Sequence, residues 1–247
     1  MERKRNGRER PKNSTFNNTP SLIAKNTVFF YYIGMQEYIR ARSDDQKEER
    51  LNQIKDATAE LFENNPYNEI TLTTIAEKLG WSRANLYKYV TTKEEIILEI
   101  AKDKMTAYYS ALLAAFPEEN NYSSEVIAEV WAGIINAHQT YMRYVSYLNP
   151  IIETNVTVER LAVFKKQYYD LAYALCDNLT KMLNLSKDAA YKLQLDILFF
   201  GSSSAICCYK NPLVQAALEK INIQMPKLDF YKDMKEFILM RILWSVK

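Results

Sequence analysis

Across residues 46–64 the apolar side chains Leu51, Ile54, Ala57, Leu61 and Phe62 recur at spacings of three and four. That period lines one face of a helix. The stretch "NNPYNE" ends it, because proline cannot continue a helix and asparagine favours turns. Thr71 can cap a second helix that turns Leu72, Ile75, Ala76 and Leu79 inward. Gly80 follows, where a chain leaving a helix turns left-handed. Ser82 can cap a third helix over 83–90. Thr92 opens a fourth, with Glu95 in capping-box register. Three short helices in about 45 residues, with a glycine turn between the second and third, make a helix-turn-helix pattern.

Longer helices are predicted downstream at 93–116, 123–147, 157–184, 187–209 and 229–246. Breaks fall at "FPEENN", "LNPIIETN", "LNLS" and "KNP", and the irregular stretch 211–228 holds a short helix at 213–220. Few glycines and prolines, with many Leu, Lys, Glu and Ala, agree with an all-α fold. The five glycines are too scattered for a phosphate-cradling loop.

Residues 1–34 differ. A basic start, "MERKRNGRERPK", passes through a polar stretch to the short apolar run "TVFFYYIG". That run is far below the ~20 residues that span a bilayer, and no small-residue cleavage site of a secretory signal follows it. The expectation is that 1–34 is an upstream extension, with Met35 as the native start, or a disordered arm. A basic arm reaching into a DNA minor groove is the alternative.

Net charge over the 247 residues is only +2, so attraction to nucleic acid requires a local patch. The third helix supplies one. On a wheel of about 100° per residue, Leu86 and Val90 share the inward side and Trp81 can join them. Ala84 and Lys88 point away, flanked by Tyr87 and Asn85, with Arg83 and Tyr89 at the boundaries. No acid interrupts residues 83–90. Cations suit phosphates or guanine edges, an amide can read adenine, and an alanine methyl can touch thymine. A solvated face of a small bundle would look similar in isolation.

The segment "ITLTTIAEKLGWSRANLYKYVTTKEEIIL" resembles the DNA-binding domain of the TetR family of transcriptional regulators. Thr71, Ile75, Ala76, Gly80, Ser82, Leu86, Tyr87, Lys93 and Ile96 carry the resemblance, which covers roughly residues 46–100. Trp81, Tyr89 and Val90 depart from the usual small aliphatic, histidine and phenylalanine; Trp81 and Val90 read as a large–small swap in one core. The resemblance implies that Arg83, Ala84 and Asn85 face base edges. It implies that Thr71, Thr73, Tyr87, Lys88 and Tyr89 contact backbone phosphates or flanking bases, and that Lys93 meets an anion at the fourth helix's amino end. Thr71 as a plain cap, and Tyr89 as plain packing, stay open.

The resemblance further implies an N-terminal helix-turn-helix domain (46–92, motif at about 71–90) after an extension over 1–45. A linking helix (93–116) would join it to a larger ligand-binding and dimerisation domain (117–247). Trp131, His138, Tyr141, Met142, Tyr168, Tyr169 and Tyr173 are the candidate effector pocket, unless they are ordinary core. Leu195, Phe199, Ser203, Phe237 and Trp244 are the candidate dimer face, with the small residues of "FFGSSSAICC" permitting close helix approach.

The function this implies is a cytoplasmic, homodimeric regulator: a repressor released from a palindromic operator by a small apolar or amphipathic effector. A helical interaction module with a degenerate helix-turn-helix is the rival. An enzyme is not expected, since one histidine and no paired nucleophile and base leave no catalytic group to assign. No cofactor, metal site or membrane association is expected. His138 lacks partner ligands, and three cysteines without a framework read as small core residues.

Overall fold

The computed structural model describes residues 45–118, 122–208, 212–224 and 227–246. Of the extension expected over 1–45 only Asp45 is among them; the start at Met35 lies outside the described residues. The chain divides into two compact units, Met1–Arg50 and Leu51–Lys247. Of the first, only 45–50 are described, and they are helical. Every regular element among the described residues is a helix.

Helix α1 covers 45–64. Ile54, Ala57 and Phe62 of its apolar stripe are buried, and Leu51 and Leu61 are half-buried. Helix α2 is Leu72–Leu79, burying Ile75 and Ala76. Its cap is reciprocal: Thr71 Oγ1 accepts the Thr74 N–H at 3.1 Å, and Thr74 Oγ1 accepts the Thr71 N–H at 2.9 Å. Gly80 closes α2 at φ 66°, where any Cβ would be strained. Helix α3 is Arg83–Leu86, capped by Ser82. It is shorter than the expected 83–90. The backbone tightens to three-residue bonds, Lys88 to Asn85 and Tyr89 to Leu86, so 87–89 form a turn that brings Val90 back into the core.

Helix α4, Lys93–Ala115, runs through the centre of the second unit. Ile96, Ile97, Leu98, Ile100, Ala101, Met105, Tyr108, Tyr109 and Leu112 are all buried, as in a helix packed on most of its sides. Helix α7, Val158–Leu183, lies beside it in the same direction. Arg160 meets Glu95 near their amino ends, Gln167 donates to Thr106 Oγ1 at 2.7 Å midway, and Asn178 donates to the Phe116 carbonyl at 2.8 Å beyond the end of α4.

The single helix expected at 123–147 is two, α5 (Ser124–Ala137) and α6 (Gln139–Tyr147), parting at His138 with φ −111°. The halves differ in their main neighbours, α5 packing on α10 and α6 on α8, while both meet α4. The break expected at "LNPIIETN" is also delayed. Leu148–Ile152 continues as a π turn, with Glu153 N–H bonded to the Leu148 carbonyl at 2.9 Å. The wider turn absorbs Pro150 while burying Leu148 and Ile152. Helices α8 (Lys187–Cys208), α9 (Pro212–Lys220) and α10 (Phe230–Ser245) complete the chain. A Cβ at Gly201 would stand 3.2 Å from Met142 Sδ, so this glycine lets α8 close on α6.

Candidate nucleic-acid interface

Arg83, Ala84, Tyr87 and Lys88 are exposed, and Asn85 is half-buried. Arg83 Nη2 donates to Tyr87 Oη at 3.3 Å and its guanidinium lies 5.9 Å from that ring, so the two are presented together. Thr71 is exposed at the cap of α2 and Thr73 half-buried in its first turn. Tyr89 is half-buried and leans on Trp81 at 5.9 Å, while Val90 and Leu86 sit buried in the same core as Trp81.

The two acids that follow the turn, Glu94 and Glu95, are engaged elsewhere. Glu94 Oε1 accepts the Tyr67 hydroxyl at 2.5 Å, and Glu95 is buried with Oε2 accepting the Thr91 N–H at 3.1 Å. Residues 82–90 themselves carry only positive formal charge, on Arg83 and Lys88. Lys93 is different from the expectation. Its Nζ donates to the Ile70 carbonyl at 2.7 Å and the Tyr67 carbonyl at 3.1 Å, and lies 4.0 Å from the Tyr67 ring centre. Burial holds its pKa below the ordinary lysine value. The ammonium pins the 67–70 turn and does not point outward with Lys88.

Of the candidate effector residues, the structure gathers Trp131, Tyr141 and His138 round Tyr108. Trp131 Nε1 donates to Tyr108 Oη at 3.1 Å; Tyr141 is 5.4 Å and half-buried His138 6.0 Å from its ring. Met142 is fully buried against Gly201. Tyr168, Tyr169 and Tyr173 instead form a string along α7 that leads from buried Tyr109 outward to Tyr191. Tyr169 and Tyr173 are exposed. Tyr173 and Tyr191 open on a cleft of about 450 Å³, with Cys176, Asp177, Lys187 and Asp188 as its other walls. Sequence reasoning missed Tyr108, Tyr109 and Gln194, which accepts the Tyr109 hydroxyl at 2.9 Å. Their aromatic and amide character was visible, but not which helices would enclose them.

On the candidate dimer face, Phe199, Ser203 and Trp244 are exposed, Leu195 is half-buried, and Phe237 is stacked on Phe200 at 3.9 Å. Ile206, Met240 and Leu243 add exposed apolar surface on α8 and α10. The small-residue run divides: Gly201, Ser202 and Ala205 are buried within this chain, and Ser203 points out. Among the described residues, no group of three His, Cys, Asp or Glu could hold a metal ion, and no helix is long and apolar enough to cross a membrane.

Residues 54–100 match the family described as bacterial regulatory proteins, tetR family, and residues 102–243 match the tetracyclin repressor-like C-terminal domain. The chain belongs to the TetR family. It is a DNA-binding transcription regulator with a helix-turn-helix domain. The Fatty acid metabolism regulator protein of Bacillus subtilis is 28% identical over 93 residues, 38% of this chain. The chain spans 45% of that protein's length. A TetR/AcrR-family transcriptional regulator from Thermobifida fusca is structurally similar, with a TM-score of 0.48 and 16% identity, over 77% of this chain and 97% of that one. The fatty acid degradation regulator FadR of Bacillus halodurans has a TM-score of 0.43 and 14% identity, over 77% and 94%.

Proposed function

We propose that this TetR-family member is a cytoplasmic, homodimeric repressor released from a palindromic operator by a small apolar or amphipathic effector. The observation that carries it is the exposed, acid-free surface of Arg83, Ala84, Tyr87 and Lys88 on a Ser82-capped helix. Arg83, Ala84 and Asn85 contact base edges, while Thr71, Thr73, Tyr87, Lys88 and Tyr89 hold the backbone. Lys93 supports them from within. The reading divides the chain into a DNA-binding domain at 46–92, a linking helix at 93–116 and an effector and dimerisation domain at 117–247.

Leu195, Phe199, Ser203, Phe237 and Trp244 form the dimer face, and the two-fold axis sets operator symmetry. The effector docks among Trp131, His138, Tyr141, Met142, Tyr168, Tyr169 and Tyr173, where aromatic rings supply apolar area and their hydroxyls supply polarity. Acyl compounds are the first class to assay, given the name of the Bacillus subtilis relative. The effector must prefer the conformation that does not bind DNA, because equal affinity for both would shift nothing.

The test is selection of bound duplexes from a random pool, followed by affinity measurements across salt concentrations. Lys88→Ala should weaken all sequences and lower the salt slope by about 1. Asn85→Ala should mainly alter sequence preference. If neither changes DNA affinity while the helical spectrum is intact, the groove assignment is wrong. Absence of any salt-dependent binding would favour the interaction-module reading.

A further inference from the structure

Among the described residues, Glu95 alone of the charged side chains is buried, at 4% exposure. It stands in the first turn of α4, where a capping box would send its carboxylate to the Thr92 N–H. Instead Oε2 accepts the N–H of Thr91 at 3.1 Å, and Thr92 Oγ1 accepts the Glu95 N–H at 3.1 Å. Thr91 directly follows Val90, the buried residue that ends the recognition turn. Glu95 therefore holds the exit of the turn that presents Tyr87 and Lys88.

The other oxygen of this carboxylate belongs to a different part of the chain. Arg160, in the first turn of α7, brings Nε to 3.3 Å from Glu95 Oε1, and its Nη1 lies 3.8 Å from Glu99 Oε1. The root of that arginine is itself fixed, since its N–H donates to the capping Thr157 Oγ1. A buried carboxylate needs both compensating charge and hydrogen bonds. Thr91 supplies a hydrogen bond from the DNA-binding side, and Arg160 supplies the charge from the other.

We infer that Arg160 and Glu95 are positioning residues for DNA recognition: α7 acts as a second shaft beside α4 and ends on the recognition turn through Arg160, Glu95 and Thr91. The inference rests on the ligand-responsive DNA-binding reading above and names its route. Tyr168, one of the candidate effector contacts, is eight residues further along α7, about 12 Å of helix. A displacement of α7 there moves Arg160, withdraws the countercharge from Glu95 and loosens Thr91. No rearrangement of the α4 interior is required.

The experiment uses the full chain, an operator selected from random DNA and a scrambled duplex of equal length. In Arg160→Ala, the Thr91 amide should exchange with solvent about tenfold faster, as expected for a local opening, while amides of α4 between Ile100 and Leu112 keep their protection. Affinity should fall on both duplexes, because Tyr87 and Lys88 contact phosphates of any sequence, but more on the operator, by about tenfold, where the recognition turn must also hold its register, and Arg160→Lys should restore part of it. In a Glu95→Gln background, Arg160→Ala should add little, the non-additivity of a directly coupled pair. Unchanged Thr91 exchange, equal losses on both duplexes, or additive effects would each overturn the proposal. Should Arg160→Ala fail to fold, Arg160→Gln takes its place under the same criteria. If the wild-type chain does not distinguish operator from scrambled DNA, the repressor reading fails, yet the exchange measurement still decides whether the pair holds Thr91.

Discussion

Arg143 of α6 donates through Nη2 to the carbonyl of Phe62 at 3.1 Å, and its guanidinium lies 5.4 Å from the ring of the same residue. Phe62 stands in the last turn of α1, where carbonyls have no partner within the helix. The same ring stacks on Tyr144 at 4.3 Å and meets the edge of Tyr147 at 5.4 Å, and Tyr147 in turn stacks on Tyr67. One arginine and four rings thus join α1 and the 67–69 turn to α6. Arg143→Ala should cost about 1.5–3 kcal/mol, the range for losing a charged hydrogen bond and leaving a carbonyl unsatisfied. Chemical denaturation should show it, and an unchanged midpoint would remove this contact from the account.

Lys93 and Lys88 should separate in DNA binding. The Lys93 ammonium is spent on two carbonyls and a ring, whereas Lys88 is exposed. Lys93→Met should lower stability by about 1–3 kcal/mol by orphaning acceptors of the 67–70 turn. In buffer cold enough to keep it folded, its DNA-binding salt slope should match wild type. A slope reduced as in Lys88→Ala would return Lys93 to the phosphates.

His138 should make the protein acid-sensitive in a defined direction. Burial, then the charge of Lys104, holds its pKa below the ordinary histidine value. Above the unfolded-state pKa both states are neutral and nothing changes. As pH falls through that value the unfolded chain gains a proton that the folded one does not, and stability declines until the folded pKa is passed. Between about pH 7.5 and about pH 5.5, spanning the reference value, the melting temperature of wild type should fall more than that of His138→Gln. Parallel curves would refute the assignment.

The cysteines should differ in reactivity. Cys176 is buried, and burial followed by the charge of Asp177 pushes its thiol up to about 11, so little thiolate is present near neutrality. Cys207 is exposed in the single chain, on the α8 face of Phe199 and Ser203 that the proposed dimer covers. Alkylation of the native protein followed by peptide mapping should spare Cys176 and modify Cys207 on dilution to the monomer, and denaturant should abolish the difference. Rapid native modification of Cys176 would show that the α7–α8 cleft opens in solution.

Much of this could be read from the chain. Thr71, Ser82, Thr92 and Gly80 act where the sequence places them, because caps and left-handed turns depend on neighbours a few residues away. The stripe on α1 and the inward Leu86 and Val90 are likewise local periodicity. The errors lie where a distant neighbour intervenes. The helix expected at 123–147 parts at His138, and its two halves pack mainly on different helices, α10 and α8. Lys93 looked like a free cation at a helix start, and only the returning 67–70 carbonyls turn it inward.

By itself, then, the sequence determined an all-helical chain, the helix-turn-helix and the identity of the cations on its exposed side. Those follow from backbone propensity, capping and the period of apolar residues, all of which act over a turn or two of helix. Only the tertiary structure decided that Arg160 reaches Glu95, that Arg143 closes the end of α1, and that the α7 tyrosines run outward while Trp131 and Tyr141 pack within. The two arginine pairings join residues far apart in the chain. Their energy comes from burial and from satisfying charges and carbonyls removed from water, and no pattern along a single helix encodes the partner that will do it.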